Sequence, residues 1–202
     1  MKVSRARKAA NRQRILEAAA RLFRERGIEG VGLDAVMQAA GLTHGALYSH
    51  FADKDDLVAQ ACAHALQGGD DSWRTAPTPA AALARLYLSE AHCANRGGGC
   101  ALAALGADAG RLGSPVRGAL AAGLEERVAR LAASLRGAPR ARRRRALAAW
   151  STLVGALVLA RAVDDPALSR EILAAGRRAL RGRRRPTSAT ASRTSGGRRA
   201  RR

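Results

Sequence analysis

The spacing of the apolar residues constrains the fold more than any other feature of the sequence. Apolar residues recur three and four positions apart along most of the chain, as in Ile15, Ala19 and Leu22, which places them on one face of a helix. Runs of β-branched and aromatic residues, which favour strands, are nearly absent, and aromatic residues make up only 3% of the chain. A core of Ala, Leu and Val suits helices packed on helices, so we predict an all-α protein of about nine helices.

Basic residues give the chain a net charge of +20 at pH 7, and they are concentrated at its two ends. Residues 1–14 contain six basic residues and no acidic one, and residues 181–202 contain nine Arg and no acidic one. A polyanion is the natural partner of such a chain, although genome composition could produce the same Arg bias. We expect a flexible basic arm at residues 1–7 and a disordered Arg-rich tail at residues 182–202.

A connector rich in Gly and Pro divides the chain into two helical domains. Its sequence, GGDDSWRTAPTP, covers residues 68–79, and the predicted domains are 8–67 and 79–181. Gly27 and Gly41 are expected to end helices, because glycine is the common residue after a helix C-terminus. Helices are predicted from near Lys8 to residue 26, at 33–40, 44–50 and 53–67, and then at about 79–95, 99–110, 115–136, 139–163 and 166–181.

The segment Gly32–Phe51, GLDAVMQAAGLTHGALYSHF, predicts a helix-turn-helix. Two short helices meet at a tight turn that contains Gly41, and small apolar residues such as Ala39 and Leu47 allow the helices to cross. The outward face of the second helix carries hydrogen-bonding side chains, as contact with DNA demands. These outward residues are Thr43, His44, Tyr48, Ser49 and His50.

Over residues 8–62 the sequence resembles the DNA-binding domain of the TetR family of transcriptional regulators. The resemblance is carried by RILEAAARLFRERGIEG and by LDAVMQAAGLTHGALYSHFADKDDLV, with its AAG turn and GALY-x-HF helix. It implies sequence-specific binding to double-stranded operator DNA, most often as a repressor. The residues that it implies in DNA contact are Gly32, Leu33, Thr43, His44, Gly45, Tyr48, Ser49, His50 and Lys54.

The resemblance also assigns roles within this set. His44 and Ser49 would face the bases, whereas Tyr48 and His50 would contact the DNA backbone. Thr43 would cap the second helix of the motif and contact phosphate, Lys54 would contact phosphate, and Gly45 would let the backbone approach DNA closely. Gly32 departs from the family pattern, which often has Ser or Thr there, so its phosphate contact would have to come from a backbone N–H.

The second domain is expected to bind a small-molecule effector and to form a homodimer, as the resemblance implies. Two-fold symmetry also suits two half-sites that lie one DNA turn apart. The candidate effector-binding residues are Trp73, Tyr87, His92, Cys93, Cys100 and Leu102. The candidate dimer residues are Leu147, Trp150, Val154, Leu157, Val158, Leu168 and Ile172.

Two alternatives stay open. One is a repressor that senses oxidants or electrophiles through Cys93 or Cys100, because Arg96 lies nearby in sequence and could lower a thiol pKa. The other is an architectural DNA binder driven by the Arg-rich ends, with no sequence preference.

Other protein classes find little support in the sequence. Gly97–Cys100 lacks the strand and the Lys-Ser/Thr of a phosphate loop, and the His and Cys residues do not form a set of four metal ligands. We therefore expect no enzyme activity, no cofactor and no metal. No signal peptide, long apolar stretch or even set of cysteines is evident, which predicts a cytoplasmic protein with reduced thiols and no membrane partner.

Overall fold

The computed structural model describes residues 5–68 and 79–181, with the backbone only at 67 and 68. Within these ranges the protein is built from nine α-helices and one 3-10 helix, and no strand occurs among the described residues. The all-α prediction is confirmed. The α-helices are α1 Arg5–Arg26, α2 Leu33–Ala39, α3 Lys54–Gly68, α4 Ala80–Tyr87, α5 Glu90–Ala94, α6 Ala101–Ala109, α7 Ser114–Ala133, α8 Pro139–Ala162 and α9 Pro166–Ala179. The 3-10 helix, His44–Ser49, lies between α2 and α3.

The first core holds the N-terminal helices together and extends beyond them. Ile15, Phe23 and Leu57 are fully or almost fully buried in it. Leu105 of α6 and Val116 of α7 belong to the same core, although they follow the connector in sequence. The helix-turn-helix is therefore fixed on a platform to which both predicted domains contribute.

The second core lies between α4, α7, α8 and α9. Tyr87, Leu153 and Leu157 are fully buried in it, and the ring of Trp150 meets the ring of Tyr87 edge-on at 5.6 Å between centroids. Burial of each large apolar side chain stabilises the fold by roughly 1.5–3 kcal/mol. This core anchors the C-terminal helices.

The N-terminal arm is shorter than the sequence suggests. Helix α1 begins at Arg5 and includes Arg7. The prediction of a flexible arm is therefore wrong for residues 5–7. Residues 1–4, most of the connector and the tail 182–202 lie outside the described residues. The predictions of a mobile arm at 1–4, a linker at 69–78 and a disordered tail therefore stay predictions.

The predicted helix 79–95 is interrupted in the structure. Helix α4 ends at Tyr87, and Ser89 starts α5 by accepting a hydrogen bond from the His92 N–H at 3.1 Å. The first N–H groups of a helix have no partner within the helix, and the Ser side chain accepts a hydrogen bond from one of them. Ser89 therefore favours the start of a second helix over continuation of α4. The start of α9 follows the sequence signal closely, because Asp165 accepts hydrogen bonds from the N–H groups of Ala167 and Leu168 and Pro166 follows it.

Helix α8 is long and apolar enough to cross a bilayer by length and composition alone. A third of its most apolar window is buried inside the structure, with Leu153 and Leu157 in the second core. A core helix passes the same length and composition test, so this property is weak evidence for a membrane span. The packing of α8 against α7 and α9 accounts for its apolar inner face.

Candidate nucleic-acid interface

The turn between α2 and the 3-10 helix is fixed by backbone hydrogen bonds. The Leu42 N–H donates to the carbonyl of Met37, and the Gly41 N–H donates to the carbonyl of Gln38, both at 2.9 Å. This pair of bonds is the Schellman arrangement, which needs a left-handed residue after the helix end. Gly41 has a φ of +65°, which glycine adopts without steric cost. The predicted role of Gly41 is confirmed.

The 3-10 helix is anchored by one buried residue and exposes the rest. Leu47 has no exposed surface, whereas the side chain of Tyr48 is 60% exposed. Of the nine predicted DNA-contact residues, two are half-buried and seven are exposed.

 The half-buried members of the set are thus Leu33 and His50, and the other seven are exposed: Gly32, Thr43, His44, Gly45, Tyr48, Ser49 and Lys54.

His44 has a partner that the sequence did not indicate. Its Nδ1 lies 2.5 Å from a carboxylate oxygen of Asp34, which is on α2, ten residues earlier. The contact orients the imidazole between the two helices of the motif. It uses Nδ1 only, and the other ring nitrogen, Nε2, takes no part in the contact with Asp34. Asp34 is therefore a positioning residue for His44. The only available sequence signal was an acidic residue in the first turn of α2.

Ser49 and Thr43 differ from what the resemblance implies. The Ser49 hydroxyl donates to the carbonyl of Ala46 at 2.7 Å, so its hydrogen is used inside the 3-10 helix and only its lone pairs are left for a base. Thr43 stands at the N-terminal boundary of the 3-10 helix, but its side chain makes no capping hydrogen bond. The prediction that Thr43 caps this helix is wrong, and its hydroxyl stays exposed.

His50 lies next to positive side chains of α1. Burial, together with the charges of Lys8 and Arg12, lowers the pKa of His50, so the ring is mostly neutral at pH 7. Among the described residues its Nδ1 has no hydrogen-bond partner. Arg12 also lies over the ring of Phe51, 5.3 Å from the centroid, and donates to Gln60 of α3. Arg12 was not singled out from the sequence, although its spacing of four from Lys8 puts both on one face of α1.

The start of α3 is a reciprocal cap. The Asp56 N–H donates to the Asp53 carboxylate at 2.8 Å, and the Ala52 N–H donates to the Asp56 carboxylate at 3.0 Å. These two bonds form a variant of the capping box. Hydrogen bonds from Gln60 and Ala52 lower the pKa of Asp56, which keeps this cap ionised. Lys54, the first residue of α3, is exposed beside it.

Comparison with known proteins identifies this arrangement. The sequence model of the bacterial regulatory proteins, tetR family, matches residues 15–61, which hold α1 after its first turns, the helix-turn-helix and half of α3. This is a DNA-binding domain of the TetR type. The HTH-type transcriptional regulator AcrR of Shigella flexneri is 47% identical over 49 residues, which are 24% of this chain and 23% of AcrR. The chain therefore spans about a quarter of the length of the relative that it matches in sequence.

Solved structures extend the likeness of fold to the helical domain that follows residue 61. A TetR-family regulator from Cytophaga hutchinsonii has a TM-score of 0.70 at 20% identity, covering 89% of this chain and 96% of its own. The regulatory protein TetR from Rhodobacter sphaeroides has a TM-score of 0.62 at 25% identity, covering 83% of this chain and 95% of its own. The helical domain behind the helix-turn-helix is thus part of the fold that this chain has in common with these two regulators.

The candidate effector-binding residues do not line one site. Tyr87 and Cys100 are buried in the second core, and His92 bridges them, since it contacts the Tyr87 carbonyl through Nδ1 at 2.6 Å and accepts the Cys100 N–H at Nε2. Cys93 instead lines a surface groove of about 360 Å³. Leu102 is half-buried between the two cores, and Trp73 lies outside the described residues.

The candidate dimer residues divide into an outer and an inner group. Leu147, Val158 and Leu168 are large apolar side chains that are 39–42% exposed, and Val154 and Ile172 are half-buried. Trp150 and Leu157 are 3% and 0% exposed, so they belong to the second core of the single chain. Their assignment to a subunit interface is corrected on this ground. Leu159, which is 58% exposed on α8, was missed.

Proposed function

We propose that this TetR-family regulator is a homodimer that binds operator DNA sequence-specifically through the 3-10 helix. The observation that carries the proposal is the polar, exposed face of this helix above the single buried anchor Leu47. A Cβ added to Gly32 or Gly45 would meet no protein atom within 4 Å, so packing within the chain does not require glycine at either position. Close approach of a DNA backbone gives both glycines a reason.

The dimer is supported by apolar side chains that the single chain leaves in solvent. Leu147, Val158 and Leu159 on α8 and Leu168 on α9 are each more than a third exposed. Exposed apolar side chains grouped on two packed helices are typical of a subunit interface. A two-fold interface there would present two 3-10 helices to the two halves of an operator.

We further propose that the protein is a cytoplasmic repressor that a small molecule releases from its operator. Release requires an effector that binds the free form more tightly than the DNA-bound form. The first core supports such coupling, because Leu105 and Val116 of the second domain belong to the same core as α1, α2 and α3.

Among the thiols, the structure favours Cys93 for the oxidant-sensing alternative. Cys100 is 1% exposed, and burial raises the pKa of Cys62 to about 11, which keeps that thiol protonated and unreactive. Cys93 is half-buried in a groove that Arg96 and Arg161 also line. The alternative therefore rests on this one residue.

The test of the proposed function is selection of binding sites from randomised double-stranded DNA. Wild-type protein should enrich one sequence, and a large preference over random DNA should persist at physiological salt. Tyr48→Ala should weaken binding to all sequences alike, because the proposal assigns Tyr48 to the DNA backbone and not to a base. His44→Ala should change the enriched sequence, since a base contact contributes about 1–3 kcal/mol of discrimination.

A matched control is Leu86→Ala, which removes an exposed side chain from α4 and should leave both affinity and preference unchanged. Enrichment of no sequence by wild-type protein would support the architectural alternative instead. An unchanged preference in His44→Ala would remove His44 from the base-reading role.

A further inference from the structure

A cavity of about 560 Å³ lies at the junction between the helix-turn-helix and the second domain. Helix α1, the end of α2 with the turn at Gly41, and α3 form most of its wall, and Gly97 and Gly98 of the loop before α6 complete it. Small-molecule sites have volumes of roughly 300–1,000 Å³, so the junction cavity is large enough for a ligand. The described candidates for effector binding do not line it, which makes it a separate site.

Positive charge predominates in the wall of the junction cavity. Three arginines of α1 line it: Arg14, Arg21 and Arg24. The wall contains one carboxylate among the described residues, that of Glu17, and Glu25 lies next to the wall, where it pairs with Arg21 at 3.5 Å. The guanidinium groups therefore outnumber the carboxylates, and an anionic ligand would be attracted into the cavity.

Arg14 has the greatest capacity to bind a ligand. Its side chain is exposed, and neither a hydrogen bond nor an ion pair joins its guanidinium to another described residue. A Cβ added to Gly41 would lie 2.6 Å from one of its terminal nitrogens, so the guanidinium lies directly against the turn of the helix-turn-helix. A ligand that binds Arg14 would therefore act on this turn.

The far end of the junction cavity joins α1 to the second domain. Arg24 donates from Nε to the carbonyl of Gly97 at 2.5 Å. Gly97 is buried, and a Cβ there would displace the Glu25 carboxylate, so glycine lets the loop approach α1 closely. Arg14 and Arg24 are ten residues apart, which corresponds to about 15 Å along the helix. The positive side chains are thus spread along the cavity and are not gathered at one point.

The remaining wall indicates what kind of ligand fits. It includes Ala18, Ala39, Ala40 and Ala65, and no Leu, Ile, Val, Met, Phe, Tyr or Trp lines it in the described part of the chain. Sites for apolar ligands are lined mostly by large hydrophobic and aromatic side chains, so the ligand here is polar. A guanidinium group matches the geometry of phosphate and binds it through paired hydrogen bonds. The volume far exceeds what a single phosphate ion needs.

We infer that the junction cavity binds an organic diphosphate of nucleotide size. Its phosphate groups would lie on Arg14 and Arg21, and its uncharged part would lie against the alanines. The bound ligand would add negative charge next to the helix-turn-helix, which repels DNA phosphates and lowers operator affinity. The effect on operator affinity rests on the proposed function, whereas binding of the ligand does not depend on it.

The first experiment measures ligand binding without DNA, by calorimetry at constant ionic strength. The probes are ADP and GDP, compared with adenosine, which has no phosphate, and with pyrophosphate, which has no organic part. One or both nucleotides should bind, and more tightly than adenosine and pyrophosphate. Arg14→Gln and Arg21→Gln, at exposed positions, should each weaken nucleotide binding roughly three- to thirtyfold, between the effects of an exposed ion pair and of a charged hydrogen bond.

Two further variants separate a site from general attraction between a basic protein and an anion. Arg117→Gln removes an exposed charge from α7 and should leave nucleotide binding unchanged. Ala39→Leu keeps every charge but fills part of the cavity, so it should weaken nucleotide binding as well. Ala39 is exposed at the last position of α2, and Leu favours helix, so this variant should keep its fold.

The second experiment measures operator affinity with and without the nucleotide that binds. The nucleotide should lower the affinity of wild-type protein roughly fivefold or more, as is typical of coupled sites, and Arg14→Gln should respond less. Unchanged affinity in wild-type protein would refute the effect on DNA, while the calorimetry would still support the site. A protein that binds a nucleotide but selects no operator would refute the proposed function and support the site.

Three results would overturn the site itself. They are no binding of ADP or GDP, binding of pyrophosphate as tight as that of the nucleotides, and nucleotide binding that Arg14→Gln and Arg21→Gln leave unchanged. If wild-type protein bound no nucleotide and Arg14→Gln lowered operator affinity, Arg14 would bind a DNA phosphate and the inference would be wrong.

Discussion

The lowered pKa of His50 predicts that DNA binding depends on pH. In the free protein, burial and the charges of Lys8 and Arg12 hold the pKa of His50 below 6.5. A DNA phosphate next to the ring would favour the charged form and raise this pKa in the complex. Binding would then take up a proton, so operator affinity should rise as the pH falls from above 6.5 through the interval between the two pKa values.

The measurement is operator affinity between pH 5.5 and 8 in wild-type protein and in His50→Gln. Uptake of one proton changes the logarithm of the affinity by at most about one per pH unit. Wild-type protein should show a steeper slope than His50→Gln, in which only other groups titrate. Identical slopes would place His50 away from phosphate.

The sequence could predict which residues of the site are exposed, but it could not predict the contacts between them. Exposed polar residues at helical spacing marked Tyr48 and His44 correctly as surface positions. The hydrogen bond between His44 and Asp34 depends on the crossing of two helices, and no local pattern encodes that geometry. The position of Arg12 over Phe51 was missed for the same reason.

At the scale of the element, the turn at Gly41 depends on a left-handed backbone. Gly41→Ala should lower the free energy of unfolding by about 1 kcal/mol or more, because a Cβ is strained at positive φ. The added Cβ would also lie 2.6 Å from the Arg14 guanidinium, which must move. Chemical denaturation of the variant measures the loss, and operator affinity should fall with it because the turn sets the helix crossing.

The matched control for Gly41→Ala is Gly118→Ala, within helix α7. Gly118 is exposed, and a Cβ there would meet nothing within 4 Å. Alanine in a helix interior is favoured over glycine by roughly 0.5–1 kcal/mol, so this variant should be more stable than wild type. Changes of the same sign in both variants would contradict the backbone argument.

Helix boundaries were predictable where a side chain or a glycine marks them. Asp before a helix and Pro in its first turn are typical start signals. Asp165 with Pro166 starts α9, and Asp53 caps α3. The interruption at Ser89 was missed, because apolar periodicity continues across it and a lone Ser is a weak signal. Arg161 stabilises the C-terminal end of α5, the short helix after the break, by donating to the carbonyls of His92 and Cys93. Residues so distant in sequence cannot be paired from periodicity.

For the whole molecule, the dimer proposal is tested by placing charge on the exposed apolar surface. Val158→Arg or Leu168→Arg should shift the protein from dimer to monomer in sedimentation experiments, because an unpaired charge would be buried between subunits. Leu86→Arg, at an exposed apolar position on α4, is the control and should remain dimeric. Leu157→Arg is unsuitable, since Leu157 is fully buried in the second core and the variant would unfold.

A Val158→Arg protein that is folded and still dimeric would move the interface elsewhere. The sequence could not separate the inner from the outer face of α8, because this helix is apolar on both. Leu157 and Val158 are adjacent in the chain, yet one is fully buried and the other is 41% exposed. Only the packing of α4, α7 and α9 decides which face is covered.

The first core has a consequence for protein engineering. Two-domain regulators can be recombined as chimaeras, in which the DNA-binding domain of one protein is joined to the second domain of another. The connector is not a suitable junction here, because Leu105, Val116 and Leu120, which follow it in sequence, belong to the core of the DNA-binding domain. A chimaera joined at the connector would bring together two core surfaces that are not complementary. A functional chimaera has to take α6 and the first turns of α7 from the same protein as the DNA-binding domain.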